Sequence, residues 1–172
     1  KTSGKNEEDV ITEIPVALPV QEDINPSYSC DYQERDITRL LVNYGNKEIL
    51  FHDESNPHEI IEHRFSVAEY IIAEYEQDQE FLAFENKEYE KLLLHFIKEF
   101  KEQRTPSISD LVQQPDKDVA NLAIDLSTTL YGLSPNWEEK NNINVPKEED
   151  VLKESVLGAL NALKIRKLRD HI

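Results

Sequence analysis

The sequence predicts a mainly α fold: a compact bundle of about six helices, one long C-terminal helix and an extended N-terminal linker. Three observations predict it. Apolar residues recur three and four apart over most of the chain, with cap residues at the breaks. Strand-like alternation is minor. Glycine occurs only 4 times in 172 residues, which argues against a hairpin-rich β fold and against phosphate-cradling or dinucleotide-binding turns.

Taken in order, residues 1–26 read as a linker and residues 27–172 as one helical domain. The linker has no aromatic side chain, carries acidic clusters and contains Pro15, Pro19 and Pro26. Inside it Ile14, Val16, Leu18 and Val20 alternate with period two, which predicts an extended piece packed on an apolar groove. In "SCDYQERDITRLLVNYG", Ile37, Leu40, Leu41 and Tyr44 form a helical stripe, with Ser29 as cap and Gly45 as stop. Residues 46–64 read as turns around the short apolar piece "EILF" and a polar loop leading into the next helix. Ser66 caps a helix with Val67, Tyr70, Ile71 and Tyr75 on its stripe. Asn86 caps another, with Tyr89, Leu92, Leu93, Phe96, Ile97 and Phe100. Ser107 caps a short helix. Asp116 opens one bearing Val119, Leu122, Ala123 and Leu126, predicted to run to Gly132, and "SPNWEEK" starts a further one.

The last helix is predicted over residues 147–172. Glu148, Glu149 and Asp150 suit the positive end of its dipole, and the basic tail suits the negative end. Leu152, Val156, Ala159, Leu160 and Leu163 have the spacing of a face turned to the bundle. Beyond Leu163 the stripe weakens, and the final two turns are predicted to be exposed or frayed.

Charge and motifs narrow the chemistry. The formal net charge of −16 repels nucleic-acid phosphates. Lys164, Arg166, Lys167 and Arg169 run against this balance, either as dipole partners or as a basic strip facing a partner. The single cysteine, Cys30, excludes an internal disulfide and a cysteine-based zinc site; it reads as a small semi-buried residue at a helix start. No apolar run approaches the ~20 residues of a membrane span, and no signal peptide is visible, so a cytoplasmic location is expected.

The stretch "FHDESNPHEIIEHRF" invites a metal reading. A zinc helix needs histidines four apart, but His58 is followed four residues later by Glu62, and the next histidine is His63. On a helix His58 and His63 would diverge by roughly 140°. The pair His52 and Asp53 suggests a metal phosphohydrolase of HD type, which would need further ligands; His95 and Asp125 are the candidates. The expectation is that His52, His58 and His63 do not converge, and no catalytic, cofactor-binding or metal residue is assigned.

Four segments occur in order: "QERDITRLLVNYG", "FSVAEYIIAEY", "FENKEYEKLLLHF" and "EDVLKESVLGALNALKIRKLRD". Together they resemble the C-terminal helicase-binding region of bacterial DNA primase in its Bacteroides-group form. The resemblance covers about residues 30 to 172, without the family's terminal helical hairpin. It implies a helical bundle that carries no polymerase chemistry. It also implies that zinc and magnesium belong to other parts of the parent primase, and that the partner is the N-terminal domains of the replicative helicase. The alternatives are a generic α-helical adaptor and, on the histidine-rich stretch, the phosphohydrolase.

Overall fold

The computed structural model describes residues 30–53, 61–128 and 147–170. Among these are seven α-helices, one 3-10 turn and a two-stranded sheet. The helices are α1 (Asp31–Tyr44), α2 (Val67–Gln77), α3 (Gln79–Leu82), α4 (Lys87–Lys101), α5 (Ile108–Val112), α6 (Lys117–Ser127) and α7 (Leu152–Asp170). The strands are β1 (Glu48–Asp53) and β2 (Ile61–Ser66), and the 3-10 turn is Glu148–Val151. The linker segment with Ile14, Val16, Leu18 and Val20, the cap Ser29, His58, Gly132 and the "SPNWEEK" helix lie outside the described residues.

The fold is built around α1, which touches α2, α4, α6 and α7. Its predicted stripe faces inward: Ile37, Leu40 and Leu41 are fully buried. Leu92, Leu93 and Phe96 of α4, Ile71 of α2, Leu111 of α5 and Leu163 of α7 complete the same core. Each such side chain contributes roughly 1.5–3 kcal/mol when fully buried. The caps read from the sequence form. Ser66 Oγ accepts from the Glu69 amide in a reciprocal capping box, and Ser107 does the same with Asp110. Asn86 and Asp116 accept from the amides two residues on.

The helix ends depart from expectation where side chains intervene. α6 stops at Ser127, not Gly132. The Ser127 and Thr128 hydroxyls both donate to the Ile124 carbonyl, and Thr128 is already extended. α4 ends in a Schellman turn without glycine. Gln103 takes φ 59, its amide bonds the Phe100 carbonyl, and the Arg104 amide bonds the Glu99 carbonyl. Gly45 ends α1 at φ −48, so it is not needed for a left-handed cap. It is needed for space: a Cβ there would lie 2.6 Å from the Leu41 carbonyl oxygen and 3.3 Å from Phe96 Cε1. Residues 79–82, unassigned by the sequence reading, form the short α3.

The polar loop expected before α2 is instead a β-hairpin. β1 and β2 pair antiparallel, with Ile49 opposite Phe65, Phe51 opposite His63 and His52 opposite Glu62. Paired residues share a face, and faces alternate along a strand. Ile49, Phe51, His63 and Phe65 therefore line one side. There Phe51 stacks on Tyr70 of α2 at 4.8 Å and Lys153 of α7 sits 4.7 Å over the Phe51 ring. Glu48, His52, Glu62 and Arg64 occupy the other side as an exposed charge ladder, with Arg64 reaching Glu48 and Glu62 at 3.9 and 3.7 Å.

Candidate functional site

Two polar joints hold α1 antiparallel to the C-terminal segment, and they decide which basic side chains remain for a partner. The first lies at the start of α1. Glu34 is fully buried, and its two carboxylate oxygens accept from the amides of Glu85 (2.7 Å) and Asn86 (2.9 Å). These amides open α4, so Glu34 supplies acceptors and negative charge at that helix's positive end. Asn86 in turn donates its side-chain amide to Asp31 at 2.7 Å. Lys167, 9% exposed, reaches the same place from α7 and donates to Glu85.

Electrostatics at this joint pull in two directions. Burial pushes the Glu34 carboxyl above its ordinary value, against the two amides and the charge of Lys167. Lys167 holds Glu85 below the usual carboxylate range, with help from the Cys30 thiol and amide. Ligand atoms of Cys30, Glu34 and Glu85 lie within 4.8 Å of one another. Their charge is already answered from within the chain, by one ammonium and two amides. The arrangement is that of a compensated structural joint. Cys30 itself is fully buried at the N-cap of α1 and makes no side-chain cap bond.

The second joint lies at the far end of α1. Arg39 donates to both Glu148 oxygens, at 2.7 and 2.5 Å, and to Asp36 at 2.9 and 3.1 Å. Tyr44 donates to Glu148 at 3.0 Å. The bidentate pair holds Arg39 above its ordinary pKa and Glu148 below its own.

With the geometry in place, comparison with known proteins gives one match. Residues 19–172 match the family described as "Domain of unknown function (DUF8430)". The chain belongs to that family. No curated protein and no solved structure matches it.

In this DUF8430 domain the residues singled out from sequence fall as follows. Of the basic strip, Lys164 is partly buried and bridges Glu74 at 3.0 Å and Asp78 at 3.1 Å. Burial lowers its pKa, but the two carboxylates outweigh it and leave the ammonium above its ordinary value. Lys167 is buried in the first joint. Beyond Leu163, Ile165, Leu168 and Arg169 are exposed as predicted, whereas Lys164 and Lys167 are drawn into acidic partners beside α2 and α4. Arg166 is half-buried and Arg169 exposed. Leu152, Val156, Ala159, Leu160 and Leu163 face the core as their spacing predicts.

Among the described residues, His52 and His63 do not share a site; His58 lies outside them. The hairpin register puts His52 and His63 on opposite faces of the sheet. His95 lies on α4, and Asp125 on α6 pairs with Arg35 at 3.7 Å. The sequence reading took Lys167 as a dipole partner or a partner-facing cation and gave Glu34 no buried role, although a signal for burial of both existed. Glu34 continues the α1 stripe backwards from Ile37 and Leu41, and Lys167 continues the α7 stripe forwards from Leu160 and Leu163. A charge on an apolar stripe is either exposed by a frayed end or buried with a partner.

Among the described residues no helix is long and apolar enough to cross a membrane.

Proposed function

We propose that this domain acts by contact in the cytoplasm, docking a DNA primase on the N-terminal domains of the replicative helicase during primer synthesis. One observation carries the reading. The four segments that resemble the primase region are α1 with its cap, α2, the start of α4, and the 3-10 turn with α7, the elements that enclose one core. The net charge of −16 supports a protein partner over direct contact with DNA. Tethering raises the local concentration of primase at its template without chemistry in this domain. Arg169, exposed near the end of α7, is the basic side chain of the strip offered to the helicase, since Lys164 and Lys167 serve the fold.

The test is calorimetric titration of the helicase N-terminal domain with this chain and with one extended past Ile172 to include a helical hairpin like that of the primase region it resembles. A hairpin burying about 800 Å² per partner should make the extended chain bind more than ~100-fold tighter. Failure of both to bind overturns the reading, as does a parent gene without an upstream zinc ribbon and acidic polymerase motif.

A further inference from the structure

α7 carries two apolar faces, and the bundle uses one. Successive residues turn by about 100°. Leu152, Val156, Leu160 and Leu163 are buried on one side. On the opposite side Gly158, Ala162, Ile165 and Leu168 are exposed, Ile165 by 50% and Leu168 by 48%. The outer face of a bundle helix is ordinarily polar.

Gly158 adds a second observation. A Cβ there would meet nothing within 4 Å among the described residues, so none of them requires glycine. Glycine in a helix interior still costs about 1 kcal/mol against alanine. The groove beside this face has Ala159 and Ala162 of α7 on one side and, on α1, Gln33, Arg35, Asp36, Arg39 and Tyr32, the last 83% exposed.

Charge selects the occupant. The same face begins with exposed Glu154 and ends with exposed Arg169. We propose that it pairs with the same face of a second copy, the two α7 helices running antiparallel about a two-fold axis between Asn161 and Ala162. In that register Glu154 of each copy meets Arg169 of the other. Ile165 of each fills the space over Gly158 of the other, so large side chains meet small ones. A parallel pair would set Glu154 against Glu154 and Ile165 against Ile165. The inference does not rest on the helicase reading, although it occupies Arg169, which that reading also uses.

One helix face and Tyr32 make a small interface, of the class below about 1,200 Å² in total. Each copy also carries a net charge of −16, which opposes association. Dimerisation in the range of about 10–100 µM is expected near 0.15 M salt, where charges are screened beyond ~8 Å.

Sedimentation equilibrium of the 172-residue chain measures it. Gly158→Ile should keep the fold, read by circular dichroism, and abolish the dimer by filling the notch; Ile165→Glu should do the same. Glu154→Arg and Arg169→Glu should each weaken association about tenfold, and the double exchange should restore it. A monomer at about 300 µM (some 3–30 times the expected dissociation constant) overturns the proposal. So does a dimer that Gly158→Ile leaves intact, or a double exchange that restores nothing.

Discussion

Replacing Glu34 tests the first joint most directly. The Glu34→Ala variant removes both acceptors from the amides of Glu85 and Asn86 and deprives Lys167 of a nearby negative charge. A buried amide left unpaired costs about 1–3 kcal/mol, and loss of a helix cap about 0.5–2 kcal/mol. Allowing one amide to recover water as the site relaxes, the net loss should be about 3 kcal/mol. Glu34→Gln keeps one carbonyl oxygen but aims an NH₂ at the second amide, and should cost about 1–2 kcal/mol. Urea unfolding followed by circular dichroism, with unchanged slope, measures both. The pH dependence adds a sign. The Glu34 pKa is raised above 4.5, burial being the largest cause, so the folded state holds this proton more tightly than the unfolded chain. Its contribution is fully present below 4.5 and is lost as pH rises through the shifted value. The stability of wild type relative to Glu34→Gln should therefore fall as pH climbs out of that window. A Glu34→Ala variant within about 0.5 kcal/mol of wild type would refute the joint, and a relative stability that rises with pH would refute burial as the dominant cause.

Gln103→Gly should stabilise the domain by about 0.5–1 kcal/mol, because φ 59 costs a side-chain-bearing residue more than glycine's extra freedom costs the unfolded chain; a raised urea midpoint checks it. Gly45→Ala should destabilise by about 1–3 kcal/mol, since its Cβ meets the Leu41 carbonyl and Phe96, and the melting temperature should drop accordingly. Leu163→Ala should cost about 2–5 kcal/mol in urea titration, as the side chain is fully buried. Glu148 sits below its ordinary pKa because of Arg39, so its stabilisation holds above that value and is lost as pH falls through the depressed one. Glu148→Gln should therefore lower stability at neutral pH by about 1–2 kcal/mol and by less in acid, read from urea titrations at several pH values.

Most helices were legible because their stripes and caps are local. Ser66, Asn86, Ser107 and Asp116 each bond an amide two or three residues away, which a sequence displays directly. The hairpin was not legible. "EILF" is a continuous apolar run, "IEHRFS" is mostly exposed, and no Asn-Gly or Asp-Gly turn separates them. What fixes the strands is distant: Tyr70 and Lys153 close on Phe51 from two helices. The same holds for Lys167, which reads as a solvated cation until α1 and α4 place carboxylates beside it. The candidate site was legible as a strip of basic residues on the last helix. It was not legible in detail, because which of those cations the fold itself consumes depends on tertiary partners.

The antiparallel pairing of α1 with the C-terminal segment has a consequence for how the chain is made. Arg39 and Glu148 are separated by 109 residues, and Lys167 and Glu85 by 82. Helical bundles with local contacts close quickly, whereas these joints must first overcome the entropy of a long loop. During synthesis α1 emerges early with Ile37, Leu40 and Leu41 exposed, and its last partner appears only after Lys167 has left the ribosome. At roughly 5–20 residues per second, that wait lasts many seconds. For this interval the hub helix is an unsatisfied apolar surface with a charged residue, Glu34, on its inner stripe. That charge opposes premature burial of the stripe against a wrong surface, because only α4 with its amides, and α7 with its lysine, can receive it.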